Sequence, residues 1–351
     1  MNTIKSTMII RSKAPLRLGF AGGGTDLNVY SKKYGGYVLN ATIDMYAHCT
    51  IIPNTQNKII FHAADLGITE EYTSSGKLIS SPALPLHTGI YNRICSDFNN
   101  QLPLSFTMTT YSDAPFGSGL GSSSTIVVAI IKAFTEWLNL PLGEYDIASL
   151  AYKIEREDIG LAGGKQDQYA ATFGGFNFME FYVNDRVIVN PLRLKRWIRN
   201  ELEASLVLFY TGVTRESANI IKEEIEHTQN EDQKNLESLH ELKIQAILMK
   251  EALLKGDFSG FSASLLKGWH AKKNAASSIS NVFIDELYQY VLNNGAESAK
   301  ISGAGGGGFM MIFCDPCRRT ELIRALKEKK GIVLTPSFTE IGTQAWTIYK
   351  N

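Results

Sequence analysis

Residues Pro115 to Ser124 constrain this chain more than any other stretch. They read P-F-G-S-G-L-G-S-S-S, and the apolar run T-I-V-V-A-I-I-K-A-F-T-E-W-L follows at once. Three glycines among serines at the start of a helix describe a backbone able to bend around an anion. Glycine keeps side chains out of a ligand's way. A helix start offers amides with no intrahelical acceptor and the positive end of the dipole. The stretch reads as a phosphate cradle, with a Gly/Ser helix cap that holds no ligand as the competing reading. It is not a Walker A loop, because no lysine follows Gly121 where G-x-x-x-x-G-K-[ST] requires one. Gly117, Gly119 and Gly121 also lack the G-x-G-x-x-G spacing of a dinucleotide site.

The 351 residues are 44% hydrophobic and 20% charged, which suits a globular protein of about two domains. Lys+Arg 35 and Asp+Glu 35 cancel, so no global basic field invites nucleic acid. Cys49, Cys95, Cys314 and Cys317 are scattered, and no second pair or nearby histidine completes a zinc site around C-D-P-C. Ordinary thiols are expected. No signal-type apolar run opens the chain and no stretch approaches a membrane span, so a cytoplasmic protein with no membrane partner is expected. A homo-oligomer is compatible with the sequence.

Along the chain, Met8–Ile10 reads as a strand, with Pro15 arguing against a central ladder position beyond it. Gly22, Gly23 and Gly24 make a tight turn before Thr25 and Asp26. Asp26 either caps a helix over Leu27–Lys33 or points at a polar ligand. Strands are predicted over 37–52, 58–63 and 104–111, and a helix over 87–99. Thr125–Leu138 is a deeply buried helix, and 147–157 a second. Residues 161–175 read as a polar turn with apolar flanks, and 176–189 as a hairpin turning at Asn184 and Asp185. A second domain begins near Pro191, dividing the chain into 1–190 and 191–351. Strand 206–210 leads into a charged helical region to about Lys255 that reads mainly as a solvated face. Helices over 257–275, 284–293 and 320–329, and strands at 309–313 and 343–349, complete an α+β pattern.

Three glycine motifs now stand together: A-P-L-R-L-G-F-A-G-G-G-T-D at 14–26, P-F-G-S-G-L-G-S-S-S at 115–124 and S-G-A-G-G-G-G-F at 302–309. The combination resembles the GHMP kinase family of galactokinase, homoserine kinase, mevalonate kinase and phosphomevalonate kinase. Four further segments are similar to the group that phosphorylates heptose 7-phosphate: F-A-G-G-G-T-D-L, A-Y-K-I-E-R-E, G-G-K-Q-D-Q-Y-A-A-T-F-G-G and Y-T-G-V-T-R-E-S. The resemblance implies a two-domain fold, ribosomal-protein-S5-like then ferredoxin-like, with ATP and a sugar phosphate in the cleft between. It implies ATP-dependent phosphorylation of D-glycero-α-D-manno-heptose 7-phosphate at C1, feeding nucleotide-activated heptose synthesis. Another sugar 1-kinase, such as a fucokinase, or an inactive nucleotide-binding regulator are the alternatives. G-G-G-T-D stands where galactokinase-like chains carry G-E-H-T-D.

The same resemblance assigns roles. Gly117, Ser118, Gly119, Gly121, Ser122, Ser123 and Ser124 would hold the nucleotide phosphates. Ser124 and Glu155 would hold Mg²⁺, the alternative for Glu155 being a surface helix salt bridge with Lys153 or a nearby residue. Asp167, in Q-D-Q, would be the base that takes the acceptor proton, or else a turn cap. Arg17 would stabilise developing negative charge, with Lys13 a weaker candidate. Asp26 would read sugar hydroxyls, and Gly303, Gly305 and Gly306, within 303–308, would wall the acceptor. A second anion on the sugar calls for a cation, for which Arg215, Lys267 and Lys272 are candidates.

Overall fold

The computed structural model describes residues 7–213 and 217–350. The chain opens with β1 (Thr7–Ala21), α1 (Asn28–Tyr34) and β2 (Gly36–Pro53), then β3 (Lys58–Ala63) and β4 (Ile68–Thr73). Next come α2 (Pro85–Phe98), β5 (Phe106–Ser112), α3 (Ser122–Leu138) and α4 (Glu144–Tyr152). A single π-helical turn over Lys153–Asp158 runs on from α4, and α5 (Gln166–Phe173), β6 (Phe176–Phe181) and β7 (Val187–Pro191) follow. After α6 (Arg196–Ser205) and β8 (Leu206–Tyr210) the chain is helical through α7 (Ser217–Gln229), α8 (Gln233–Lys255), α9 (Phe258–Ala275) and α10 (Val282–Asn293). It ends with β9 (Ala296–Ile301), β10 (Phe309–Cys314), α11 (Arg319–Lys327), β11 (Ile332–Leu334) and β12 (Gln344–Lys350). Among the described residues no helix is long and apolar enough to cross a membrane.

Two sheets carry the strands. The first has the order β12-β1-β2-β5-β3-β4, with β6 also pairing β2 and β7 pairing β6. The second has the order β11-β8-β10-β9. β3 and β5 run parallel, whereas β1 is antiparallel to both its neighbours. A division at 190/191 therefore needs one correction: β12, the last strand, hydrogen-bonds β1 from Lys13↔Gln344 to Thr7↔Lys350 and lies in the first sheet. β1 also runs through Pro15. The proline sits past the last residue paired to β12 and at a register shift against β2, one of the few ladder positions that tolerate a missing N–H.

α3 is buried on most of its surface because Val127, Val128, Ile130, Ile131 and Phe134 meet the first sheet and α2. Ser12 Oγ donates to Ala129 O at 2.6 Å and pins the helix to β1. On the opposite face a second core joins Leu16, Leu18 and Phe20 of β1 to Leu208, Phe309 and Phe313 of the second sheet. α8 and α9 close it through Met249, Leu253 and Phe261. Phe20 meets Phe261 edge-on at 5.6 Å. This shared core fixes the two sheets around β1, the strand that carries Arg17. The 161–175 stretch is not a turn throughout. Its C-terminal part forms α5, which is buried around most of its circumference through Gln168, Tyr169, Ala170, Ala171 and Thr172.

Candidate active site

The phosphate loop and the third glycine motif interlock. Gly117, Gly119 and Gly121 all have positive φ, at 74°, 80° and 78°. Ser302 Oγ donates to Gly119 O at 3.0 Å, and Phe309 N donates to Ser118 O at 2.9 Å. A Cβ on Gly119 would stand 2.3 Å from Ser302 O, so glycine is needed here for conformation and for space. Gly121 is the N-cap of α3 and brings no side chain to its first amides. A cleft of about 410 Å³ opens beside this helix start. Of the seven loop residues expected at phosphate, all seven line it.

Asp167 stands across the loop. Arg17 donates through Nε to Asp167 Oδ1 at 2.7 Å and through Nη1 to Gly119 O at 2.6 Å. The arginine is buried, while the Asp167 side chain keeps 20% exposure toward the cleft. A methyl at Gly121 would lie 3.1 Å from Asp167 Cγ, so the missing side chain lets the carboxylate approach the loop. Asp26 also lines the cleft, 2% exposed. It does not cap α1, whose N-cap is Leu27. Its Oδ2 accepts from Gln166 N at 3.0 Å, and Oδ1 accepts from Gln166 Nε2 and Gly24 N, each at 3.1 Å. The first glycine motif is thereby tied to the start of α5.

Glu155 forms the other corner. It is 1% exposed, so a surface salt bridge with Lys153 is not its role. Oε1 accepts from Ser123 Oγ at 3.0 Å, and Oε2 accepts from Ser124 Oγ and Gln168 Nε2, each at 2.7 Å. Among the described residues no group of three or more His, Cys, Asp or Glu side chains is arranged to hold a metal ion. A carboxylate 2.7 Å from a serine hydroxyl is nonetheless a hard-oxygen pair of the kind Mg²⁺ takes alongside phosphate and water. The donor set fits that ion.

Glu224 of α7 and Lys272 of α9 make the far wall, as a buried ion pair. Burial pushes the Glu224 carboxyl up, against the pull of Lys272. Behind them Lys300 of β9 donates to Gly19 O at 3.0 Å and Phe20 O at 3.3 Å. Burial, then Lys272 and Arg17, push its amine down to about 7.

The family model for the N-terminal domain of GHMP kinases matches residues 86–175, and that for the GHMP kinase C-terminal region matches 249–332. The chain is 55% identical to a D-glycero-alpha-D-manno-heptose 7-phosphate kinase of Campylobacter jejuni, over 97% of this chain and 99% of that one. It belongs to the GHMP kinase family. A solved D-glycero-D-manno-heptose 1-phosphate kinase from Bacteriodes thetaiotaomicron matches with TM-score 0.84 and 47% identity, over 97% of this chain and 100% of that one. A Lactococcus lactis galactokinase complexed with galactose matches with TM-score 0.76 at 17% identity, over 96% and 95% of the two chains, a likeness of fold. The two-domain α+β architecture is that of GHMP kinases, and the protein is an ATP-dependent phosphotransferase.

In this GHMP kinase some expected residues stand elsewhere. Gly303 lines the cleft, but Gly305 and Gly306 do not. They meet the turn Ser277–Ile279, where Gly306 N donates to Ile279 O at 2.8 Å and a Cβ on Gly305 would stand 2.7 Å from the same oxygen. Lys267 is exposed on α9 outside the cleft lining. Lys13 lies over the Tyr46 ring at 4.4 Å. Arg215 lies outside the described residues. The four cysteines are free thiols. Sequence reading passed over Arg156, Gln166, Gln168 and Glu224. Their only local signal is adjacency: Arg156 follows Glu155, and the two glutamines flank Asp167. Glu224 stands in the charged stretch read as a solvated face.

Proposed function

We propose that this GHMP kinase transfers the γ-phosphoryl group of ATP to the C1 hydroxyl of D-glycero-α-D-manno-heptose 7-phosphate, giving the 1,7-bisphosphate. The observation that carries the substrate is the full-length 55% identity to a heptose 7-phosphate kinase. The cleft geometry supports the chemistry. The Gly117–Ser124 loop and the start of α3 receive the nucleotide phosphates. Asp167 accepts the acceptor hydroxyl proton as the new O–P bond forms and the bond from γ-phosphorus to the ADP oxygen breaks. Arg17 holds Asp167 in place and, anchored on Gly119 O, supplies fixed positive charge at the reacting centre. Ser124 and Glu155 would hold Mg²⁺, which neutralises phosphate charge when bound.

Asp26, Glu224 and Lys272 read the sugar. Two carboxylates share that wall with one ammonium, so it suits hydroxyl groups and repels a phosphate. The 7-phosphate therefore extends past it. Arg215 remains the candidate cation; its described flanks approach the site, with Val213 O accepting from Gly308 N at 2.8 Å and Ala218 lining the cleft. A charged hydrogen bond to phosphate contributes about 1.5–3 kcal/mol, and about 1.4 kcal/mol is tenfold. The test compares kcat/KM for heptose with and without the 7-phosphate. A preference of about ten- to a hundredfold is expected, and equal values reject the phosphosugar reading. Product ³¹P–¹H correlation must couple the new phosphate to the anomeric proton; coupling elsewhere rejects C1 transfer. Loss of the preference in Arg215→Ala identifies the arginine.

A further inference from the structure

The Glu155 carboxylate has no acceptor site to spare. Two oxygens offer about four lone-pair directions. Ser123, Ser124 and Gln168 take three, and Arg156 Nη1 stands 3.3 Å from Oε1 as the fourth partner. Arg156 Nη2 also donates to Ser124 Oγ at 3.3 Å. A guanidinium thus sits within reach of both oxygens that would serve Mg²⁺. The three neutral donors can turn aside at little electrostatic cost. The guanidinium cannot lose its charge, so it is the partner a dication has to displace.

Its seat is shaped for it. A π-helical turn, common at functional sites, carries Glu155 and Arg156 together. Nη1 donates to Ala162 O at 3.2 Å and Leu161 O at 3.5 Å. A Cβ on Gly163 would stand 2.2 Å from Arg156 Cζ, so the guanidinium rests directly on that backbone. Yet Nε is buried and has no hydrogen-bond partner among the described residues. A buried donor left unpaired calls for an explanation, and the residue lines the phosphate cleft.

We propose that Arg156 is an internal cation lock on the metal corner. In the empty enzyme its guanidinium holds Glu155 and Ser124 and keeps free divalent cations out. With nucleotide bound, Arg156 would turn to the phosphate oxygens and leave Glu155 and Ser124 free to hold the metal. This rests on Glu155 and Ser124 as metal ligands. It makes Arg156 a positioning residue that couples metal binding to nucleotide binding.

The test uses the full chain and two readouts that need no turnover. Free Mn²⁺ is followed by EPR without nucleotide, and ATP binding in EDTA is followed by calorimetry. Arg156→Gln should bind Mn²⁺ at least tenfold more tightly than wild type without nucleotide, and bind metal-free ATP at least tenfold more weakly. Arg156→Lys, which keeps a cation, should restore much of both. Gly163→Ala keeps the arginine but removes its seat, and should also tighten Mn²⁺ binding. This second variant decides the matter if Arg156→Gln does not fold. Unchanged Mn²⁺ affinity in the folded Arg156 and Gly163 variants overturns the lock and leaves a structural clip. Glu155→Gln separates the underlying assumption. If it binds Mn²⁺ with ATP as wild type does, the metal assignment itself fails and takes the lock with it.

Discussion

Arg17 and Asp167, 150 residues apart, share a hydrogen bond of 2.7 Å, and the same guanidinium donates to Gly119 O at 2.6 Å. One buried side chain on β1 therefore sets both the proposed base and the phosphate loop. A displacement of β1 would move base and phosphate together, which preserves their relative alignment. Such alignment is where much of a phosphoryl transfer barrier is removed.

Replacing Asp167 by Asn keeps the shape and removes the proton acceptor. General-base catalysis is worth about 10²–10⁴ in rate, so kcat should fall by that order. ATP affinity should hold, while the melting temperature falls, because the buried Arg17 guanidinium loses its carboxylate partner. Steady-state kinetics beside calorimetric ATP titration checks this. Near-normal turnover in a folded variant removes Asp167 from the base role.

The interlock of the two glycine loops is open to a paired test. Gly119→Ala imposes a left-handed conformation that costs about 1–2 kcal/mol and drives a methyl to 2.3 Å from Ser302 O. Gly67 also has positive φ, at 66°, but nothing stands within 4 Å of its Cβ position. Urea melts should show Gly67→Ala paying only the conformational term. Gly119→Ala should lose clearly more, together with ATP affinity. Equal losses would mean that the loops are not held by this contact.

The Glu224–Lys272 pair should show the asymmetry of buried charges. Removing one partner of such a pair costs about 3–5 kcal/mol, while replacing both by apolar groups is often close to neutral. Glu224→Gln and Lys272→Met should each be strongly destabilised in denaturant melts. Glu224→Leu combined with Lys272→Met should recover most of the stability while sugar KM stays high. Additive losses in the double variant would contradict the pairing.

The phosphate loop was legible because its chemistry is local: glycines, serines and an apolar helix lie within some 25 residues. β3 and β8 were legible at their bounds, since their apolar runs are flanked by clear breaks. Glu224 was not, because its burial depends on Lys272, 48 residues further on in another helix. Arg156 was not legible either, because the carbonyls that receive it, Leu161 and Ala162, lie across a turn whose path the sequence does not specify. β12 was legible as a strand, but its return to β1 was not, since pairing across more than 300 residues leaves no periodic trace.

Lys300 provides a test in solution pH. Its amine is pushed down from 10.5 to about 7, by burial first and then by Lys272 and Arg17. Below pH 7 the folded and unfolded chains both carry this proton, and the cost of burying the charge is fully present. Between pH 7 and 10.5 the unfolded chain holds a proton that the folded one has released. Stability attributable to Lys300 then rises with pH, because the unfolded state binds more protons. Above 10.5 neither state carries it and the slope vanishes. Lys300→Met abolishes the titration, so the stability difference between wild type and variant isolates it from other groups. Wild type should gain on the variant as pH rises from 7 to 9, by at most about 1.4 kcal/mol per pH unit. The neutral amine can still donate to the carbonyls of Gly19 and Phe20, so the tie from β9 to β1 survives deprotonation. Urea unfolding of both proteins at several pH values across this window is the measurement. Parallel curves would show that Lys300 keeps its proton in the folded state, leaving a third cation behind Arg17 and Lys272 at neutral pH.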